Sequence, residues 1–392
     1  MPFSAIHVKE NYPNAEVIIF EKTKQVLSKV KISGGGRCNL TNACSDTNEL
    51  TQAYPRGKRF IKRAFYTFNT KDTYQWFESK GVELMTQDDN CVFPKSQNSQ
   101  SIIDLFLRET KRLNIKIILE SQVKQLESND SIITLFFKND NKPQIFDQVI
   151  VATGGSPRRK GFLWLEKLKH QIEEPVPSLF TFNMPKEDIR DLMGIVVENA
   201  TATIQGTNLE SKGALLITHW GMSGPSIIKL SSLGARILNK MNYEFRVQIN
   251  WINEKNNDLI RNKIQQTIKE HPRKMIRNLK AFPLPERLWV FLINKLEISS
   301  DKPWIELGKK GVNKLVSILS NDSYNIQGNT RFKEEFVTCG GISLKSINQD
   351  TMESKLVKNL YFAGEVLDID GITGGFNFQA AWTTGFIAAR LN

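Results

Sequence analysis

Short apolar runs alternate with polar stretches along the chain, and their period changes several times. Residues 4–12 set Ile6 and Val8 among polar neighbours, as the tail of a helix does, and Pro13 with Asn14 stops it. AEVIIFE (15–21) is a compact apolar run closed by an acid, the pattern of a buried parallel strand. A helix feeding such a strand is the second half of a βαβ unit, and the sequence holds no first strand or turn before it. Residues 56–80 read as a basic helical stretch with interleaved aromatics. Residues 101–113 read as a helix with Ile102, Leu105, Phe106 and Leu113 on its apolar face. Between 116 and 152 the period drops to two, giving strands at IKIILESQVKQLES, SIITLFFKN and QIFDQVIVATGG, with NDNKP as a hairpin turn between the last two. Pro175 and Pro177 mark a boundary. Alternation follows (NATATIQGTNLESKGALLIT, YEFRVQINW), then a helical stretch over about 255–320 with PERLWVFLINKLEI as its amphipathic core. The tail returns to a strand (NLYFAGE) and a glycine turn that opens an apolar helix (GITGGFNFQAAWTTGFIAARL).

This order predicts an α/β fold: a Rossmann-like domain built from both chain ends, 1–175 and 335–392, interrupted by a β-rich insert with a helical part at 176–334. Neither end carries a whole sheet, whereas the middle has its own strands and helices. Composition changes little. With 392 residues, 40% hydrophobic and 24% charged, the chain can bury substantial cores. No apolar run reaches the roughly 18 residues of a membrane span, and the first residues lack a secretory pattern, so the expectation is a cytoplasmic protein. Cys38, Cys44, Cys91 and Cys339 are too scattered for a disulfide framework, and their spacing supports no metal site. Charge matters more: 53 Lys and Arg against 41 Asp and Glu leave +12. That balance suits a nucleic acid, a membrane surface or an anionic cofactor. The clusters RGKRFIKR and HPRKMIRNLK read more readily as solvated faces than as nucleic-acid sites. A small-molecule substrate is therefore expected, with neither nucleic acid nor membrane as partner and the oligomeric state open.

Four segments carry candidate chemistry. Glu21 caps a buried strand, where dinucleotide folds place the acid that bonds a ribose hydroxyl. SGGGRCN (33–39) offers three glycines whose N–H groups can converge on an anion, followed by the forked cation of Arg37. VIVATGG ends a strand in two glycines, which permits close backbone approach. In GEVLDIDGITGGF, Asp368 and Asp370 precede Gly374 and Gly375, which open a helix whose N-terminus favours negative charge on a flavin ring. Apart from these, ITHWGMSGP sets His219 before a helix that Ser223 can cap and Pro225 can start; His219 is a candidate proton donor.

Together KISGGGRCNLTNA, LLITHWGMSGP, TCGGI, TMESK and GEVLDIDGITGGFNFQAAW resemble the motifs of the BaiN-type FAD-binding flavoproteins, often described as aminoacetone oxidase family enzymes. The resemblance runs over essentially the whole chain in the same order. It implies an FAD-dependent oxidoreductase with a non-covalent flavin and an insert combining a β-barrel-like part with a small helical part. It assigns cofactor binding to Glu21 and Lys22, to Gly34, Gly35, Gly36, Arg37, Cys38 and Asn39 with Asn42, and to Val123. Thr153, Gly154 and Gly155 follow, then Gly364, Glu365 and Asp368, then Gly374, Gly375, Phe376 and Asn377. Members of that family open with a strand and glycine turn that cradle the pyrophosphate, and this sequence starts just after that place. The expectation is a working protein longer by roughly 15–25 residues, or else a real truncation. No second dinucleotide turn follows any strand, so NAD(P)H would dock only transiently, and dioxygen as electron acceptor stays open beside it. The alternatives are a basic nucleic-acid-binding protein and a non-catalytic flavoprotein remnant.

Overall fold

Pro2 occupies the first helical turn, where its missing N–H costs nothing, and α1 (Pro2–Asn11) runs buried on every side from Pro2 to Val8. The structure is a computed structural model describing residues 1–129, 132–138, 142–328 and 337–391. Two compact units emerge, Met1–Pro177 with Val337–Asn392, and Ser178–Phe336.

In the first unit, β1 (Ile18–Phe20) follows α1, and α2 (Ser28–Gly36) leads into the glycine run. Helical geometry breaks at Ser33 (ψ 149°), and Gly34 and Gly35 are left-handed. The single helix expected over 56–80 is two, α3 (Lys58–Ala64) and α4 (Thr70–Ser79). Asn69 restarts the helix through a capping box: its side chain accepts from Lys71 N–H, and Asp72 accepts from Asn69 N–H at 2.7 Å. The next helix, α5 (Gln100–Arg112), buries Ile102, Ile103, Leu105 and Phe106, each contributing roughly 1.5–3 kcal/mol.

β2 (Lys116–Ile118) pairs with β1 in parallel, Ile19 opposite Ile117. β3 (Val123–Asn129), β4 (Ile132–Phe137) and β5 (Gln144–Phe146) form an antiparallel meander, Leu126 opposite Leu135 and Thr134 opposite Ile145. Of the turn expected at NDNKP, residues 139–141 lie outside the described residues. QIFDQVIV, one strand by its pattern, instead changes sheet across Asp147 and Gln148, and β6 (Val149–Val151) begins a separate parallel pair. Periodicity is the same on both sides of that change, so it cannot reveal it.

The second unit is built on a six-stranded antiparallel sheet. Its strands are β7 (Phe182–Asn183), β8 (Val196–Ile204), β9 (Glu210–Thr218), β10 (Gly221–Ser223), β11 (Glu244–Asn250) and β12 (Asp322–Gln327), in the order β7-β10-β9-β8-β11-β12. Asn183 Nδ2 donates to Gln327 O at 3.1 Å between the two edge strands, so the sheet is nearly closed, as in a barrel. Helices α6 (Pro225–Leu233), α7 (Asn257–Glu270), α8 (Glu286–Lys295) and α9 (Gly308–Ser320) complete the unit. Its core buries Trp251, Trp289 and Trp304 with each indole N–H satisfied, by Asp322, Ile276 O and Leu279 O respectively.

The chain re-enters the first unit through β13 (Val337–Ile342) and β14 (Leu360–Phe362). The latter pairs in parallel with β6, Tyr361 opposite Ile150. α10 (Phe376–Ala388) ends the fold, with Gln379, Trp382 and Thr383 buried. No helix among the described residues is long and apolar enough to cross a membrane.

Candidate functional site

Two glycine segments far apart in sequence are bonded together. Asn42 Nδ2 donates to Gly374 O at 3.0 Å, and the Asn39 amide donates to Thr41 O and accepts from Gly375 N–H at 3.2 Å. Beneath them the Thr41 hydroxyl donates to Gln379 Oε1 at 2.5 Å, and Trp382 Nε1 to Leu40 O at 3.0 Å. Gly375 has no alternative. Its φ is +87°, and a Cβ there would stand 2.2 Å from Thr41 O. This clamp fixes the N-terminus of α10, where the N–H groups of Phe376, Asn377 and Phe378 have no intrahelical acceptor. Asn377 spends its side chain on Gly371, donating to its O and accepting from its N–H, and Tyr54 donates to Phe376 O at 2.7 Å. Phe376 meets Tyr54 edge-on. Asn42, Asn39 and Asn377 are thus positioning side chains in this structure.

The Gly34–Gly36 run has φ values of +56°, +67° and +84°, and no atom lies within 4 Å of a Cβ added at Gly35 or Gly36. The space on the side-chain side of Gly35 and Gly36 is therefore open, which permits close approach of another group to the backbone there. Arg37 stacks over Phe93 at 4.3 Å and donates to Gly34 O and Gln97. The Cys38 side chain does not face this space. It is fully buried, and burial pushes its thiol up to about 12, so it stays protonated at neutral pH.

A second junction centres on Glu365. One carboxylate oxygen accepts from Thr338 N–H at 2.9 Å and the other from Lys29 of α2 at 2.6 Å. Gly154, left-handed at φ +76°, and Gly155 pack against this carboxylate, while Thr153 is exposed. Gly364 (φ +76°) donates to Thr384 Oγ1 of α10. Asp368 is half-buried, with its N–H bonded to Ile342 O. Glu21 sits at the end of β1. Its Oε1 accepts from the backbone and hydroxyl of Thr23, and its carbonyl accepts from Ser121 N–H, two residues before Val123. Lys22 beside it is exposed.

Two side chains and one backbone N–H outside the sequence-predicted set act here. Lys29 and Thr338 hold Glu365, and Arg56 pairs through Nε with the fully buried Asp370 at 2.6 Å, with a second contact from its Nη2. The RGKR cluster was visible, but its first arginine looked like the solvated ones beside it. In the second unit His219 is exposed at the two-residue tip between β9 and β10, its ring edge-on to Trp220 at 4.4 Å. The helix after it is capped by Gly224 (φ +93°), not Ser223, because the tight approach to Ala214 O leaves no room for a side chain.

Residues 3–391 match the family model described as the HI0933-like protein Rossmann domain. The chain belongs to this family. It is 25% identical over 395 aligned positions to a 3-dehydro-bile acid delta(4,6)-reductase of Clostridium scindens, covering 99% of this chain and 95% of that one. It is 27% identical over 385 positions to a ribosomal RNA dihydrouridine synthase of Haemophilus influenzae, covering 95% and 91%. Among solved structures, a 3-ketosteroid delta1-dehydrogenase from Sterolibacterium denitrificans shares the fold at TM-score 0.53 and 10% identity, over 99% of this chain and 96% of that one. The family establishes an FAD-binding Rossmann-like fold and a flavin-dependent oxidoreductase. The residues fit that cofactor: a left-handed glycine run with open space before it, a fixed helix N-terminus, and an acid closing β1.

Proposed function

We propose that this protein is a reductase that takes electrons from NAD(P)H through a non-covalent FAD and saturates a carbon–carbon double bond conjugated to a carbonyl, with uracil in RNA as the substrate. The observation that carries the reading is the clamp joining residues 39–42 to 374–375. It presents the N–H groups that start α10 to an electron-rich ring edge. When bound, FAD supplies two-electron transfer between a nicotinamide and an electron-poor double bond. The chain's own work is to hold and polarise. Gly35 and Gly36 accept an anionic or carbonyl group, Glu365 is fixed by Lys29 and Thr338, and Glu21 and Asp368 receive cofactor hydroxyls. His219, exposed and bonded to no other side chain among the described residues, is the proposed source of the proton that completes the saturated product.

Two of the curated relatives that the chain matches carry names describing reduction of such a bond. The net charge of +12 favours the polyanionic substrate over the sterol-like one. An anaerobic experiment decides. NADPH or NADH should bleach the visible flavin spectrum, and unmodified ribosomal RNA should restore it while gaining dihydrouridine. His219→Gln should slow reoxidation by RNA and leave bleaching unchanged. Reoxidation by a 3-keto-4-ene steroid but not by RNA would transfer the reading to a small-molecule reductase. Reoxidation by dioxygen alone would make the protein an oxidase.

A further inference from the structure

The positive charge is not spread evenly. Residues 255–320 hold fourteen Lys and Arg against six Asp and Glu, a net +8 of the chain's +12. These residues make the helical part of the second unit, and the fold concentrates part of that charge. Residues 272–277 run antiparallel to 300–305: Ile276 N–H donates to Lys302 O at 2.9 Å, Trp304 N–H to Lys274 O at 2.9 Å, and Ile305 N–H to Pro272 O at 3.0 Å. Met275 is bridged to Pro303, so Lys274 and Lys302 flank that pair diagonally with Arg273 next to Lys274, and Lys309 and Lys310 follow within one turn at the start of α9. All five are exposed, and none has an ion pair among the described residues. Asp301 is already engaged by Arg277 at 2.8 Å. Met275 (40% exposed) and Ile305 (63%) stand among these cations.

A face that is merely solvated gains nothing from unpaired like charges, which repel one another. It also has no use for two exposed large apolar side chains. Both features suit a nucleic-acid strand, whose phosphates take the cations and whose base faces cover the apolar groups. We infer that the ribbon of residues 272–277 and 300–305, with the first turn of α9, is the RNA-anchoring surface of this protein. It binds the phosphate backbone without reading sequence, in a unit separate from the candidate flavin residues. This inference rests on the RNA reading of the substrate.

The test uses the full-length protein and a fluorescently labelled transcript of large-subunit ribosomal RNA. The variant is Arg273→Gln/Lys274→Gln/Lys302→Gln. The control, Lys71→Gln/Lys111→Gln/Lys345→Gln, removes the same charge from exposed positions of the other unit. In the first variant the slope of log affinity against log salt should fall by about two, at roughly 0.7 for each single-strand phosphate no longer neutralised, with affinity weakened roughly tenfold or more. The control should keep the slope, and both should be bleached by NADPH as fast as the parent. If the triple variant does not fold, Arg273→Gln alone should lower the slope by about 0.7. An unchanged slope in the first variant, or an equal fall in both, overturns the anchoring surface while leaving RNA reduction by the parent intact. So does binding of phosphatidylglycerol vesicles through these residues in preference to RNA. No RNA binding by the parent protein removes the substrate reading and the anchor together.

Discussion

Gly375 and Gly35 have similar backbone angles and opposite surroundings. Alanine at 375 must hold a left-handed conformation, roughly 1–2 kcal/mol, and also clash with Thr41 O. Gly375→Ala should therefore lower the thermal midpoint by several degrees and release flavin. Gly35→Ala meets open space. It should fold with a loss of about 1 kcal/mol yet retain less flavin, as read by absorbance after gel filtration. Equal flavin retention in Gly35→Ala and the parent would remove Gly35 from the cofactor site. Glu10 makes a second prediction. The hydrogen bond from His7, ahead of Lys80 and against the cost of burial, holds its carboxyl at about 2. The stabilisation is present above its ordinary value of 4.5 and lost as pH falls from there toward 2. Glu10 is half-exposed, so the loss is about 1 kcal/mol after screening. Urea midpoints across this range should fall less steeply in Glu10→Gln than in the parent. At this scale the left-handed backbone at Gly34, Gly35, Gly374 and Gly375 is legible in the sequence, because glycine takes positive φ without the Cβ clash that other residues meet. Thr41 and Gln379 are not: an ordinary threonine and glutamine 338 positions apart acquire meaning only when the fold joins them.

Between elements, the contact with the largest expected consequence is Arg56 with Asp370, which ties the entry of α3 to the loop before α10. Asp370 is fully buried and Arg56 nearly so. Arg56→Met should cost about 3–5 kcal/mol by stranding a buried carboxylate, whereas Arg56→Met/Asp370→Leu should recover much of it. Chemical denaturation of the two singles and the double gives the coupling; additive losses would mean that the pair does not act as a unit. Helices and strands with strong periodicity, such as α5 and β4, could be read from the sequence. The break between α3 and α4 was missed because the aromatic spacing continues across it, and only the capping box at Asn69 marks it. The division of QIFDQVIV was missed because strand partners, not strand pattern, separate β5 from β6.

For the whole molecule, the hydrophobic clusters divide as the two units do. One core lies entirely between Phe182 and Ile326, and the others draw only on the two flanking segments. Residues 178–336 expressed alone should therefore unfold in one cooperative urea transition and bind no FAD; a broad, non-cooperative transition would show that this core needs the rest of the chain. The middle segment carries its own alternation and helices in the sequence, and Ser178–Phe336 forms a compact unit in the fold. The concentration of charge within it was written in the sequence, but its exposure on one ribbon was not. The clamp at Asn42 has a different kind of consequence, one of time. Its partner Gly374 lies 332 residues downstream. At about 5–20 residues per second of synthesis, the loop waits roughly 15–70 s for α10 to emerge. Unit two can close during that interval. A ribosome stalled before α10 would therefore carry a second unit able to close and a loop at residues 39–42 still waiting for its partner.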